Sequence, residues 1–172
     1  MDKPIMNIAD VIFHSPPAKF APSGRAAERF GAKSGSVGAC IGAQKLGYNI
    51  TAVPPGKRAW PFHHHHVKEE MFFVLQGRGE IRIGEATYPI RTGDFIACPA
   101  GGRETAHQII NSGTEELRYL AVSTEVYPEV VEYPDTGKFA VAGGRGVAPD
   151  GTPRQLIFFG RENASLEFWD GE

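Results

Sequence analysis

The sequence predicts an all-β protein that folds as an antiparallel barrel or jelly roll, and two observations support this. First, 21 glycines and 13 prolines separate short runs rich in Val, Ile, Phe, Tyr and Thr, a pattern typical of many strands and few helices. Second, the separations are short and contain glycine, as in Gly77-Arg78-Gly79 and Gly93-Asp94, so they suit the tight turns between antiparallel strands. Regular short strands with such turns favour a barrel or a jelly roll.

The predicted barrel occupies residues 46–124, where the apolar runs are most regular. Its strands are expected at residues 48–53, 71–75, 80–83, 87–90, 95–98, 105–111 and 117–123. Because alternate side chains of a strand point to opposite faces, we expect Tyr48, Phe72, Val74 and Ile109 to point into the barrel and contribute to its core.

Residues 1–45 predict an irregular N-terminal arm, since prolines and small polar residues interrupt its apolar positions. Within this arm we expect one helical turn at 26–30 and a strand that leads into Ile41. The arm would therefore carry little regular structure before the first strand of the barrel.

Residues 125–172 predict a C-terminal extension with one strand, at 155–159, and a flexible loop at 143–146. The extension ends with Phe168 and Trp169, and aromatic side chains at a terminus usually pack on a protein surface. We expect them to pack on the barrel of the same chain or on a second copy.

Composition narrows the classes of function. A chain of 172 residues with 41% apolar residues fits one domain. The net charge of −2 and pI near 6.3 give no basic surface for nucleic acid. No apolar run approaches the roughly 17 residues that a membrane span needs, and the N-terminus lacks a secretory signal, so we expect a cytoplasmic protein. Cys40 and Cys98 fit a reduced compartment and buried, unreactive roles.

The candidate functional residues are a run of four histidines at 63–66, the neighbouring Glu69 and Glu70, and a distant His107. Imidazole and carboxylate groups together bind divalent metals such as Mn, Fe, Ni, Cu and Zn. On a strand, His63 and His65 share one face while the two histidines between and after them share the other. Only one pair can therefore face a given metal.

A longer pattern surrounds these residues and resembles the paired motifs of the cupin superfamily. Its parts are Gly56, His63-x-His65, Glu70 followed by six residues and Gly77, then Gly93, five residues, Pro99-x-Gly101 and His107-x-x-x-Asn111. The resemblance covers about residues 46–124. It implies a cupin jelly-roll barrel and, as is the habit of that family, a homodimer.

The resemblance also implies one divalent transition metal, Mn, Fe, Zn or Ni, bound by His63, His65, Glu70 and His107. His64 and His66 fit the spacing too, and we prefer the other pair because Pro61-Phe62 before the first ligand resembles one-domain cupins. The second motif departs from the family pattern, since five residues separate Gly101 from His107 where two are usual.

The relatives implied by this resemblance include proteins labelled sugar phosphate isomerases, some with an ending like residues 168–172. We therefore expect a metal-dependent enzyme acting on a small oxygen-rich metabolite, with sugar or sugar-phosphate isomerisation as the first hypothesis. An Fe-dependent dioxygenase is the alternative, and a non-catalytic module that binds a small ligand is the rival from another class. The cupin fold alone does not name a reaction.

Two sets of residues are candidates for roles beside the metal. An isomerase needs a base to move a proton, and Arg or Lys side chains could bind a substrate phosphate. The candidate bases are His64, His66, Lys68, Glu69 and Glu104. The candidate phosphate ligands are Lys57, Arg58 and Arg103.

Overall fold

The computed structural model describes residues 3–147 and 153–172, and within them the chain is almost entirely β-structure. The strands are β1 (Lys33–Ser36), β2 (Leu46–Val53), β3 (His64–His65), β4 (Glu70–Gln76), β5 (Arg78–Ile83), β6 (Ala86–Arg91), β7 (Phe95–Cys98), β8 (His107–Ile110), β9 (Leu117–Thr124), β10 (Glu129–Tyr133), β11 (Lys138–Val147) and β12 (Pro153–Gly160). Two short helices, α1 (Arg25–Arg29) and α2 (Gly38–Ile41), lie in the arm.

The strands form three antiparallel sheets that wrap one core. The orders are β1-β2-β9-β4-β7, β6-β5-β8 and β12-β11-β10-β3. Strands distant in sequence lie side by side, as where β9 sits between β2 and β4. Such crossovers are typical of the jelly roll, and the predicted all-β barrel is confirmed.

The core lies between the first two sheets and contains residues from most of the predicted barrel strands. Phe72 and Val74 of β4 and Ile109 of β8 are buried as expected, whereas Tyr48 is only half-buried and packs on Gly38. The core tyrosine is instead Tyr119, whose ring meets that of Phe72 edge-on at 5.4 Å. Burial of each such side chain contributes roughly 1.5–3 kcal/mol.

One buried amide joins β2 to the turn between β8 and β9. Asn111 is fully buried and its side-chain amide donates to the carbonyl oxygens of Val53 and Glu115, at 2.7 and 2.8 Å. Its own side-chain oxygen accepts from the amide of Gly113 at 2.9 Å. All its polar atoms are thus paired, which a buried polar side chain requires.

Three local expectations were wrong. The strand expected to run into Ile41 ends at Ser36, and α2 follows and closes at Gly42, whose φ of 89° favours glycine. The loop expected at 143–146 belongs to β11, where a bulge between Ala142 and Arg145 accommodates the glycines. Strands β10 and β11 had not been predicted, and the strand expected at 155–159 is the larger β12.

The C-terminal segment carries the two most exposed aromatic residues among those that the structure describes. In this single chain Phe168 and Trp169 are 86% and 75% exposed and pack against each other at 4.8 Å. Their contact with a second copy stays a prediction. Among the described residues, no helix is long and apolar enough to cross a membrane.

Candidate metal centre

Strand pairing brings the two halves of the motif together. His63 and His107 face each other across an isolated antiparallel bridge, closed by main-chain hydrogen bonds of 3.2 and 2.8 Å. Glu70 is the first residue of the neighbouring β4. The five residues before His107 form a compact 3-10 turn over Arg103–Thr105, so the longer connection keeps His107 at the start of β8.

The Nε2 atoms of three histidines converge on one carboxylate oxygen. Oε2 of Glu70 lies 3.0 Å from His107, 3.3 Å from His65 and 3.9 Å from His63. One ligand atom each from His63, Glu70 and His107 lie within 4.8 Å of one another, a spacing that could hold a metal ion. His65 is at the edge of this group, with its ring 6.3 Å from that of His107.

The opposite nitrogen of each ring faces an oxygen of the surrounding shell. Nδ1 of His63 lies 2.7 Å from the carbonyl of Pro61, and Nδ1 of His107 lies 3.2 Å from that of Thr105. A carbonyl oxygen only accepts, so in the neutral rings the proton sits on Nδ1 and the Nε2 lone pair is free. This is the tautomer and the supporting shell that metal-binding histidines use.

The consequence is that a single ring proton cannot serve both sides of His107, whose Nε2 also lies 3.0 Å from Oε2 of Glu70. The Nε2 lone pairs of His63 and His107 and the carboxylate of Glu70 all accept, and both nitrogens of His65 lack a hydrogen-bond partner. Burying unpaired polar groups is costly, and a divalent cation among them would satisfy all four side chains at once. The donor set, three imidazoles and one carboxylate, suits the transition metals named above.

Electrostatics favour the ligating forms of these groups. Burial, with a further contribution from neighbouring His107, lowers the pKa of His63 to about 3, so that its ring is neutral at ordinary pH. For Glu70, burial alone would raise the pKa, but the imidazoles of His107 and His65 beside its carboxylate outweigh burial and hold the pKa well below its usual value. A neutral imidazole and an ionised carboxylate are what a metal requires.

The other two histidines of the run point away from this group. His64 is buried, and its Nε2 lies 3.7 Å from Oε2 of Glu132. The exposed His66 places its own Nε2 2.7 Å from Oε1 of the same carboxylate. Glu132 faces His64 across the β3–β10 pair, so these three side chains share the outer face, while His63 and His65 face the inner one.

Glu129 supports the inner site and had not been anticipated from the sequence. Its buried carboxylate accepts from the backbone amides of His66, Val67 and Lys68, at 3.0, 3.4 and 2.7 Å. The same carboxylate lies 3.7 Å from Nδ1 of His65. Nothing local marks Glu129, because its role depends on the pairing of β10 with β3.

The candidate bases from the sequence lie away from the metal ligands. His64 and His66 face outward, Lys68 pairs with Glu125 at 3.5 Å, and Glu69 is exposed. Glu104 is exposed as well and accepts from the amide of Gly102 at 2.9 Å.

The candidate phosphate ligands are also engaged elsewhere. Lys57 donates to the carbonyl oxygens of Ala27 and Glu28 in the arm, at 3.1 and 2.7 Å. The side chain of Arg58 donates to that of Gln108 at 3.3 Å, and Arg103 lies 3.6 Å from Glu85 on the surface. These contacts indicate structural roles for Lys57 and Arg58 and a surface position for Arg103.

Cys98 is an interior neighbour of the site and is not a nucleophile. It pairs with Glu70 across the β4–β7 ladder and is buried in the core. Burial, together with the charge of Glu70, raises the pKa of its thiol to about 12. The thiol is therefore protonated at ordinary pH, as expected for an unreactive core cysteine.

Tyr133 links the metal-binding group to a cavity of about 410 Å³ between the arm and the barrel. Its ring stacks on that of His63 at 6.1 Å, and it also lines the cavity. The remaining wall contains aromatic side chains, three cationic ones and Asp135, whose carboxylate pairs with Arg82. The aromatic and cationic side chains include Phe20, Phe30, Trp60, Phe62, Arg25, Arg29 and Lys138.

The fold and these side chains define a small barrel protein with a candidate metal centre, and comparison with known proteins identifies the barrel domain. Residues 49–123 match the family described as Cupin domain, and together with the jelly roll this match makes the barrel a cupin domain. A segment of 75 residues is 32% identical to an uncharacterized protein of Methanocaldococcus jannaschii, covering 44% of this chain and 57% of that one. The chain spans about half the length of the curated relatives it matches.

Solved structures agree with this assignment. A candidate sugar phosphate isomerase from Acidithiobacillus ferrooxidans is 29% identical, with a TM-score of 0.60 over 72% of this chain and 76% of that one. A cupin-superfamily protein from Silicibacter pomeroyi, named a sugar phosphate isomerase, covers 96% of this chain and 98% of its own. Its TM-score is 0.75 at 22% identity, which shows that the fold extends beyond the barrel.

Proposed function

We propose that this protein is a metal-dependent enzyme that interconverts the aldose and ketose forms of a sugar or sugar phosphate. The observation that carries the proposal is the convergence of the Nε2 atoms of His63, His65 and His107 on Oε2 of Glu70. These four side chains are the proposed ligands. With octahedral coordination they leave two positions open, as catalytic sites do and closed structural sites do not.

A divalent metal held there would polarise the carbonyl of a substrate and acidify the adjacent C–H group, as isomerisation requires. The chain would supply substrate orientation from the neighbouring wall. Tyr133 stacks on His63, and burial raises the pKa of its phenol, so it stays protonated. A neutral phenol beside the ligands can donate a hydrogen bond to a substrate oxygen.

The cavity beside Tyr133 supports a phosphorylated substrate. Arg25, Arg29 and Lys138 line it, and none of the three forms a salt bridge with the described residues. An arginine without a carboxylate partner is available for bidentate binding of phosphate. The aromatic wall would cover the apolar face of a sugar ring, a composition usual for small-molecule sites.

The sequence relationship supports the same substrate class. The Acidithiobacillus protein is named a candidate sugar phosphate isomerase and is similar to this chain over most of both lengths. Other cupin barrels resemble this chain in fold and carry other names, such as the polyketide cyclase of Streptomyces resistomycificus. The substrate class is therefore proposed from the site and the cavity together with this relative.

The test is metal analysis followed by turnover. Tag-free protein purified without added metal should contain bound Mn, Fe, Zn or Ni by inductively coupled plasma mass spectrometry. The metal-loaded protein should then interconvert aldose and ketose phosphates, observed by NMR, and His107→Ala should not. Bound Fe with substrate-dependent O2 uptake would identify a dioxygenase instead, and tight ligand binding without turnover would identify a binding module.

A further inference from the structure

The histidine run presents a second set of metal-binding groups on its outer face. His64 and His66 are two residues apart on one strand edge, and their rings stack at 5.5 Å with an interplanar angle of 17°. Glu132 reaches them from β10 and places one oxygen near each ring, at 3.7 and 2.7 Å. The outer face thus repeats the combination of a His-x-His pair and a carboxylate found inside, but among the described residues only the inner group has its ligand atoms within 4.8 Å of one another.

A buried nitrogen at this cluster lacks a partner. His64 is 3% exposed, and its Nδ1 has no hydrogen-bond partner among the described residues. Its Nε2 lies 3.7 Å from Glu132, which is too far for a direct hydrogen bond. Neither nitrogen of this buried ring is therefore satisfied by the protein, although buried polar groups normally are.

The cluster is also accessible. His64, His66 and Glu132 line an open cleft of about 570 Å³ together with the loop at Gly101 and Gly102. The side chains of His66 and Glu132 are 43% and 47% exposed. An ion could therefore enter from solvent and keep water molecules in its remaining coordination positions.

We infer that His64, His66 and Glu132 form a second binding site for a divalent transition metal. Two imidazoles and one carboxylate suit Zn²⁺, Ni²⁺ or Cu²⁺. The site has three protein ligands where the inner site has four, and two of the three are exposed surface groups. It therefore binds more weakly than the inner site and fills at higher free metal.

An ion at this position would connect two strands. The histidines belong to β3 and its edge, whereas Glu132 belongs to β10, and β3 pairs with β10 through only two residues. The same short pairing holds His65 beside Glu129. Metal at the outer site would therefore hold β3 against β10 and stabilise the strand that carries the inner ligands.

The test is the number of Zn²⁺ ions bound, measured by equilibrium dialysis with metal analysis over increasing free Zn²⁺. Wild-type protein should bind two equivalents in separate steps, and His66→Ala and Glu132→Gln should each lose the weaker step only. His14→Ala is the matched control, because His14 is an exposed histidine distant in sequence from the outer cluster. This variant should keep both binding steps.

Two further results distinguish this inference from the proposed function. His107→Ala should lose the tighter step and keep the weaker one, because its outer face is unchanged. A single equivalent in wild-type protein, or an unchanged weaker step in both His66→Ala and Glu132→Gln, would overturn the second site whatever the inner site does. Circular dichroism of each variant verifies that the loss is not caused by unfolding.

Discussion

The two faces of the histidine run have the same residue types at the same spacing but differ in their surroundings. On the inner face, the side chains of Glu70 and His107 are 17% and 4% exposed. Backbone carbonyl oxygens lie beside Nδ1 of His63 and Nδ1 of His107. On the outer face, Glu132 and His66 are about half exposed. The same His-x-His pair is therefore a high-affinity candidate or a weaker one according to the burial of its carboxylate and the hydrogen bonds that support its rings.

Replacing His107, which has no counterpart on the outer face, should give the largest effect on metal affinity. We expect His107→Ala to lower affinity at the inner site by more than the roughly 10–100-fold that loss of a supporting residue costs. Circular dichroism should show a folded barrel, because removal of a polar ligand need not leave a large apolar cavity. Metal analysis under limiting metal measures the effect, and full occupancy of the inner site would exclude His107 as a ligand.

Weakening the support of an inner ligand should have a smaller effect. Glu129→Gln removes the charge beside Nδ1 of His65 and leaves one acceptor oxygen where the backbone amides of residues 66–68 use two, so we expect a loss of about 10–100-fold in inner-site affinity. Glu132→Gln is the matched control on the outer face of the same strand. Competition with a chelator measures both, and equal inner affinities in the two variants would contradict the supporting role of Glu129.

The cavity between the arm and the barrel is a further difference between the two faces, since it adjoins the inner face through Tyr133 and does not adjoin the outer face. If it binds phosphate, Arg29→Ala should raise KM for a phosphorylated sugar by about tenfold, as loss of a charge-assisted hydrogen bond predicts. KM for the unphosphorylated sugar should stay unchanged. Steady-state kinetics with both substrates measures this, with Lys33→Ala as the control, and a parallel rise for both sugars would argue against a phosphate contact.

The smallest effect is expected for chemical labelling of the buried Cys98, which reports access to the barrel interior. Cys98 faces the inner site across from Glu70, and its raised pKa of about 12 keeps the thiol protonated, since a thiol ionises only as the pH approaches its pKa. Native protein treated with iodoacetamide at neutral pH should therefore be labelled at the exposed Cys40 and not at Cys98. Peptide mass spectrometry reads the labels, and rapid labelling of Cys98 would show that the interior is open.

Much of the barrel could be predicted from the sequence because its signals are local. Alternation of apolar residues located β4, β5, β7 and β9 to within a few residues of their ends, and glycine-containing turns separated them. The extension was harder, since Gly143, Gly144 and Gly146 suggested a loop where a bulged β11 pairs with its neighbours. Pairing between distant strands overrides local preference there.

The candidate metal centre shows the same contrast between local sequence signals and pairing of distant strands. Spacing and the family resemblance selected His63, His65, Glu70 and His107, and strand parity required that His64 and His66 face the other way. No sequence pattern marks Glu129 or Glu132, because each acquires its partners only through the pairing of β10 with β3. Tyr133 was missed for the same reason.

The type of fold, the candidate ligands and the opposed faces of the histidine run could be predicted from the sequence, since they follow from residue pattern and the two-residue period of a strand. The folded packing determines which face meets Glu70 and His107, which oxygens lie beside the ring nitrogens, and which cavity adjoins the candidate ligands. Those properties depend on contacts between residues far apart in the chain, and the folded packing alone brings them together.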